Sequence, residues 1–227
     1  MKKLKVLIFG SSGMVGKGVL LECIDSVDVE SVLLVNRSPI DIKHSKIKEI
    51  IHKDFTDFSS IENEFRGLDA CYFTVGVSSA GLNEKKYSRI TYDLTIAAAK
   101  SLINGNKNMT FIYVSGSGTD TSEKGRIMWA RVKGRTENAI LNLGFKYTFM
   151  YRPGYIQPMR GIKSKTALYN SLYVVFAPLY PLLNKIIPKH LTTTEKIGKS
   201  MINVSLRPYP KRHLSNNDIN ITASINY

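Results

Sequence analysis

The sequence predicts an α/β fold: a doubly wound parallel sheet with helices on both faces and a small C-terminal cap on the substrate side. Three observations predict it. Short apolar runs alternate with longer stretches of helical spacing from residue 4 to residue 151. The first apolar run ends in a glycine-rich loop that opens a helix. The composition, 43% hydrophobic and 22% charged over 227 residues, builds one substantial domain with a real core and excludes wholesale disorder.

The elements follow in order. Leu4–Phe9 is a short apolar run ending in glycine, as a central parallel strand should be. Residues 14–24 place Val15, Val19, Leu20 and Cys23 at helical spacing. Residues 32–35 form a second strand, stopped by Asn36-Arg37-Ser38-Pro39, and Ile47–Ile51 a third. Ser59–Phe65 reads as a short helix and 69–75 as a fourth strand closing at Gly76. Residues 84–102 are expected as one long helix with Ile90, Leu94, Ala97 and Ala98 on one side. A fifth strand at 111–114 runs into Ser115-Gly116-Ser117-Gly118, a helix follows over 126–143, and a sixth strand over 146–151 enters Arg152-Pro153-Gly154. In such a sheet, ligands sit beyond the carboxyl ends of the strands. Residues 1–155 therefore form the binding domain, and 156–227, too few for a domain of their own, a cap integrated with it.

Charge narrows the partners. The chain carries +14, unevenly: residues 1–150 hold 21 basic and 16 acidic groups, and 151–227 hold 11 basic groups against only Glu195 and Asp218. The tail favours anionic partners such as a phosphorylated cofactor, an anionic substrate or a membrane surface. Nucleic acid is not expected, because no aromatic-basic recognition motif accompanies the charge. Cys23 and Cys71 have no CxxC partner and the four histidines are scattered, which argues against a metal site and for a reducing compartment, the cytoplasm. The apolar run behind Lys2, Lys3 and Lys5 is too short for a secretory leader and reads as a buried strand. Residues 166–184 are uncharged and flanked by basic groups, but Pro178 and Pro181 break a spanning helix. Two readings remain for 160–190: short helices covering a pocket or an oligomer face, or a segment lying on a membrane surface.

Gly10-Ser11-Ser12-Gly13-Met14-Val15-Gly16 lies between strand and helix, the context a dinucleotide loop requires. Gly10 permits the sharp turn, Gly13 lets backbone approach a pyrophosphate, Gly16 lets the helix pack close, and the N–H groups at the helix start attract phosphate. About twenty residues on, an NAD site would present a carboxylate to the ribose. Here the second strand ends in Asn36-Arg37-Ser38, where Arg37 can pair with a 2′-phosphate and Ser38 can add a hydrogen bond. NADP(H) is therefore favoured over NAD(H).

Together, GSSGMVG, NRS, Asp54-Phe55, YVSGSG, WARVKG and RPG resemble the atypical short-chain dehydrogenase/reductase superfamily. Within it the chain is most similar to small NAD(P)-binding proteins of the NmrA-like and Tat-interacting-protein type, often labelled nucleoside-diphosphate-sugar epimerase-like. The likeness covers 1–155 well and the rest loosely, through Thr192-Thr193-Thr194-Glu195 opening a helix. It implies a Rossmann fold, with Asp54 and Phe55 by the adenine and Val75, Gly76 and Val77 lining the path to the nicotinamide ribose. Pro153, Gly154 and Tyr155 would flank the nicotinamide.

The resemblance also implies a catalytic Ser, Tyr and Lys, the last two as YxxxK. Ser115 and Lys133 stand in place, but Trp129 replaces the tyrosine. An indole N–H donates a hydrogen bond and cannot act as an acid–base group near neutral pH. Three readings follow: another tyrosine, Tyr87 or Tyr155, supplies the proton; water or substrate does; or the protein senses NADP(H) without turnover. The expected function is an NADP(H)-dependent oxidoreductase acting on a small carbonyl or hydroxyl compound or a nucleotide sugar, with Ser115, Lys133 and Tyr155 as its catalytic set. The alternative is a non-catalytic regulator or assembly factor. The helices over 84–102 and 126–143 either pair between subunits as a homodimer or simply cover the sheet.

Overall fold

The computed structural model describes residues 2–163 and 180–225. A seven-stranded, wholly parallel sheet runs through it in the order β3-β2-β1-β4-β5-β6-β9. Its strands are β1 (Leu4–Phe9), β2 (Val29–Asn36), β3 (Ile47–Ile51), β4 (Ala70–Phe73), β5 (Thr110–Val114), β6 (Tyr147–Arg152) and β9 (His213–Ser215). A second parallel pair joins β7 (Tyr155–Gln157) to β8 (Leu191–Thr193).

The central strands are buried on both faces, so successive residues alternate between two cores. Val6, Ile8, Leu34, Tyr72 and Leu214 face α1 (Met14–Asp25), α6 (Thr194–Leu206) and α7 (Asn216–Ala223). Leu7, Phe9, Val35, Phe73 and Tyr113 face the opposite layer, which contains α3 (Leu94–Ile103) and α4 (Met128–Leu141). The first layer is drawn tight by glycines: a Cβ on Gly18 would fall 2.5 Å from that of Thr194, and one on Gly198 would fall 2.7 Å from Glu22 Cγ. Two buried phenols are satisfied on α6, Tyr72 by the Met201 carbonyl (3.2 Å) and Ser205 (3.1 Å), and Tyr151 by Ser200 (2.7 Å).

Two features differ from the sequence expectation. The sheet has seven strands rather than six, because His213-Leu214-Ser215 pairs with β6. Three residues carry no legible period; they extend because a buried sheet edge offers them hydrogen bonds and Leu214 a core position. The helix expected over 84–102 is interrupted: α2 (Glu84–Ser88) and α3 are joined by a π turn at Arg89–Asp93. The wider turn carries Ile90 to the open cleft while Thr91 stays buried, a division a continuous apolar stripe does not show.

The C-terminal residues contribute α5 (Tyr180–Ile186), a 3₁₀ turn at Pro188–His190, β8, α6, β9 and α7. Thr193 caps α6, its side chain accepting from the Lys196 N–H at 3.0 Å, and Ser215 and Asp218 form a reciprocal capping box on α7. Most of the uncharged stretch at 166–184 lies outside the described residues. Among those described, no helix is long and apolar enough to cross a membrane.

Candidate functional site

Beyond the carboxyl ends of β1, β2 and β4 lies a cavity of about 450 Å³. It collects Gly10, Ser12 and Gly13 from the loop, Asn36, Arg37 and Ser38 from the end of β2, Phe55, and Val75, Gly76 and Val77 after β4. Val35, Pro39, Thr74, Ser78, Ile90 and Leu94 complete the wall; sequence reasoning had assigned none of these to the site. Met14, Val15 and Gly16 form the first turn of α1 behind the loop.

The loop's shape follows from two glycines. Gly10 has φ +85°, and its missing Cβ would sit 2.8 Å from the Val75 nitrogen. A Cβ on Gly16 would fall 2.2 Å from the Gly10 carbonyl oxygen, so the helix can start against the strand end only with glycine there. Gly13 is the N-cap of α1, no side chain caps the helix, and its first turn holds no acidic residue. The amide groups at that end are left for an anion.

Asn36 is buried, and both ends of its amide are engaged. Its Oδ1 accepts from Ser11 Oγ (2.9 Å), and its Nδ2 donates to Glu49 Oε1 (2.7 Å). Arg37 and Ser38 next to it are exposed on the cavity rim. Phe55 packs edge-on to Phe9, with ring centroids 5.9 Å apart. Asp54 stands off the cavity: its Oδ1 accepts from the Thr56 N–H (2.9 Å) and hydroxyl (2.5 Å), which hold its carboxyl below the usual range.

Of the expected catalytic residues, Ser115 follows β5, Tyr155 opens β7 just after β6, and Lys133 lies on α4, and the polar group of each is bonded within the protein. Ser115 is buried, and its hydroxyl has two acceptors within reach, Glu137 Oε1 at 2.5 Å and the Tyr151 carbonyl at 3.1 Å, the shorter taking its proton. Ser117 is the exposed hydroxyl of that loop, its N–H bonded to the Pro153 carbonyl at 2.8 Å. Trp129 overlies Gly118. Tyr87 is 2% exposed. The Tyr155 hydroxyl donates to Gln157 Oε1 (2.8 Å), and burial raises its pKa. Gly154 is held by Asn216, whose Oδ1 accepts from its N–H at 3.1 Å.

Glu137, invisible as a site residue in the sequence, organises this end. Its fully buried carboxylate takes the Ser115 hydroxyl, Arg152 Nε (3.0 Å) and Arg152 Nη2, and His213 Nε2 lies 3.5 Å away. The one signal was spacing: Trp129, Lys133 and Glu137 recur every four residues on one face of α4.

The Lys133 ammonium donates to the Ser115 carbonyl. Burial pulls its pKa from 10.5 to about 8, against the opposing pull of Glu137. Between those two values the unfolded chain holds more proton at this site than the folded one. The site's contribution to stability therefore rises with pH across that window. Measured by urea unfolding at pH 7 and pH 10, wild type should gain on Lys133→Met by up to about 3 kcal/mol, because buried thiols and phenols cancel in the comparison. A difference that stays flat with pH would contradict the buried ammonium.

The sheet order, the loop at β1 and the cleft beyond the strand ends define a Rossmann-type α/β fold, and solved structures agree in fold. The Bordetella bronchiseptica enzyme WbmF, solved with NAD+, superposes with a TM-score of 0.68 at 12% identity, covering 98% of this chain and 78% of that one. A short chain dehydrogenase from Burkholderia cenocepacia in complex with NADP gives 0.63 at 10% identity, covering 98% and 92%. In sequence, the chain is 25% identical to Protein FMP52, mitochondrial, of Meyerozyma guilliermondii, over 97% of this chain and 95% of that protein. It is 26% identical to Protein FMP52-2, mitochondrial, of Scheffersomyces stipitis, over 90% and 88%. No family model matches.

These relatives overturn the expected cytoplasmic location, since they are named as mitochondrial proteins. The expectation rested on unpaired cysteines. Both are free and buried, and burial by itself keeps them from oxidants, so they carry no information about compartment.

Proposed function

We propose that this chain binds NADP(H) along the cleft from the glycine loop to the ends of β5 and β6, and acts as an oxidoreductase on a small carbonyl or hydroxyl compound. One observation carries the reading: an uncapped helix N-terminus and the exposed Arg37 and Ser38 line one cavity. The donors fit the group. Backbone N–H groups of the first turn of α1 would hold the pyrophosphate, and the Arg37 guanidinium with the Ser38 hydroxyl the 2′-phosphate. Phe55 and Val77 supply apolar walls. The cofactor, when bound, supplies or accepts hydride.

The chain's own task is then to hold substrate, exclude water and manage one proton. Trp129 cannot move a proton, Tyr87 is enclosed, and the Tyr155 phenol is raised and engaged. Lys133, pulled down to about 8, can give or take a proton near neutral pH once a substrate oxygen displaces its bond to the Ser115 carbonyl, and Ser117 presents an exposed hydroxyl for that oxygen.

A second reading, a non-catalytic NADP(H)-responsive regulator, is favoured by the inward turn of the Ser115 hydroxyl together with Trp129. Titration with NADPH and NADH followed by fluorescence, then assay with aldehydes, ketones and quinones, separates the two. Wild type should prefer NADPH, and Arg37→Asp should reverse that preference by about 10- to 100-fold, the worth of a charge-assisted phosphate contact. Steady turnover supports the oxidoreductase, binding without turnover the regulator, and binding of neither nucleotide removes both.

A further inference from the structure

We propose that Glu49, on β3, is a positioning residue for recognition of the cofactor's 2′-phosphate; this rests on the NADP(H) reading above. Its Oε1 accepts from two donors that flank the turn carrying Arg37. One is Asn36 Nδ2 (2.7 Å), whose amide oxygen in turn receives the Ser11 hydroxyl (2.9 Å) of the glycine loop. The other is the Ile40 N–H (3.2 Å), at the far end of the turn that carries Arg37, Ser38 and Pro39. A single carboxylate oxygen thus closes the Arg37 turn from both ends, since Asn36 precedes it and Ile40 follows it.

The arrangement matters because Arg37 and Ser38 are exposed on the rim, where a long side chain on a free turn would lose much of its pairing energy to ordering. Holding the turn by the Asn36 side chain at one end and the Ile40 N–H at the other reduces what must be ordered on binding. Ser11 and Asn36 are both buried, so the link between loop and turn is shielded from water and has few alternatives. Glu49 touches no cavity surface itself, and its register opposite Leu34 places it on the strand next to β2.

NADH lacks the 2′-phosphate and gains nothing from an ordered Arg37 turn. Loss of the Glu49 acceptor is therefore expected to fall mainly on NADPH. Glu49→Val should fold, since a β-branched residue suits a half-buried strand near the sheet edge. It is expected to raise the NADPH dissociation constant about 10-fold and that of NADH less than about 3-fold, as losing a hydrogen bond to a charged group predicts. Glu49→Gln, which still offers Oε1 to both donors, should restore NADPH binding to within about 2-fold of wild type.

Dissociation constants for both nucleotides, with a thermal melt of each variant, decide the matter. An NADPH-to-NADH ratio unchanged in Glu49→Val, or both affinities falling together with the melting temperature, overturns the proposal and leaves Glu49 a support of the fold. Should Glu49→Val not fold, Glu49→Thr takes its place, a β-branched polar residue too short to hold both donors, and the same NADPH-to-NADH ratio decides. Wild type binding neither nucleotide would instead refute the NADP(H) reading on which this one stands.

Discussion

Replacing Glu137 by alanine is expected to lower stability by about 3–5 kcal/mol, the loss typical of breaking a buried ion pair. The carboxylate is fully buried and serves Ser115 and Arg152 at once. Removing it leaves a guanidinium that is only 23% exposed without its counter-charge. It also leaves a hydroxyl at the end of β5 that retains only the Tyr151 carbonyl. Denaturant unfolding at pH 7 measures the loss, and an unchanged midpoint would show that the cluster does not support the fold. The double substitution Glu137→Leu with Arg152→Leu is the informative control. It removes both charges and should recover much of the loss, because a matched apolar pair carries no unpaired buried ion. Glu137→Gln should fall between, since an amide still accepts from Ser115 but cannot balance Arg152.

Gly16→Val is the second large effect, and it should appear in binding as well as in stability. The first atom of any side chain there lands 2.2 Å from the Gly10 carbonyl oxygen and 2.5 Å from Thr74 Oγ1. Gly10 cannot yield freely, because it is held at φ +85° and pressed against the backbone of Thr74 and Val75. The helix start must therefore lift away from β1, which misplaces the amide groups that face the cavity. NADPH affinity should drop on the order of 100-fold, equivalent to roughly 3 kcal/mol. Gly13→Ala is the contrast: its Cβ would meet the same carbonyl at 3.3 Å, a contact a small shift relieves. Its melting temperature should therefore change little, and any loss of affinity there comes from the methyl group meeting the pyrophosphate rather than from a lifted helix. Equal losses of stability in the two variants would mean that the loop's shape is not set by the Gly16 contact.

Much of this was legible before any coordinates. The βα rhythm, the GxxGxxG loop between strand and helix and the basic end of β2 each depend on neighbours in sequence, and they meet on one cavity. Asn36 shows the limit of such reading. It stands on the cavity as expected, yet its amide is spent on Ser11 and Glu49, partners 25 and 13 residues away. Ser115 shows it again, since its type and place match a substrate contact and its hydroxyl points at Glu137 instead.

By itself, then, the sequence determined what short-range periodicity and backbone permission can determine: which runs are strands, where glycine is obligatory, and that a cation rather than a carboxylate ends β2. The tertiary structure alone decided which polar groups stay free. It turned Ser115 inward and Ser117 outward, drew the Lys133 ammonium into a buried site, brought Glu49 under the Arg37 turn, and recruited His213–Ser215 as the seventh strand. The physical reason is common to all of these. A buried donor or acceptor must be satisfied by whatever the fold brings within about 3 Å, and that partner comes from another strand or helix with no fixed spacing in the chain.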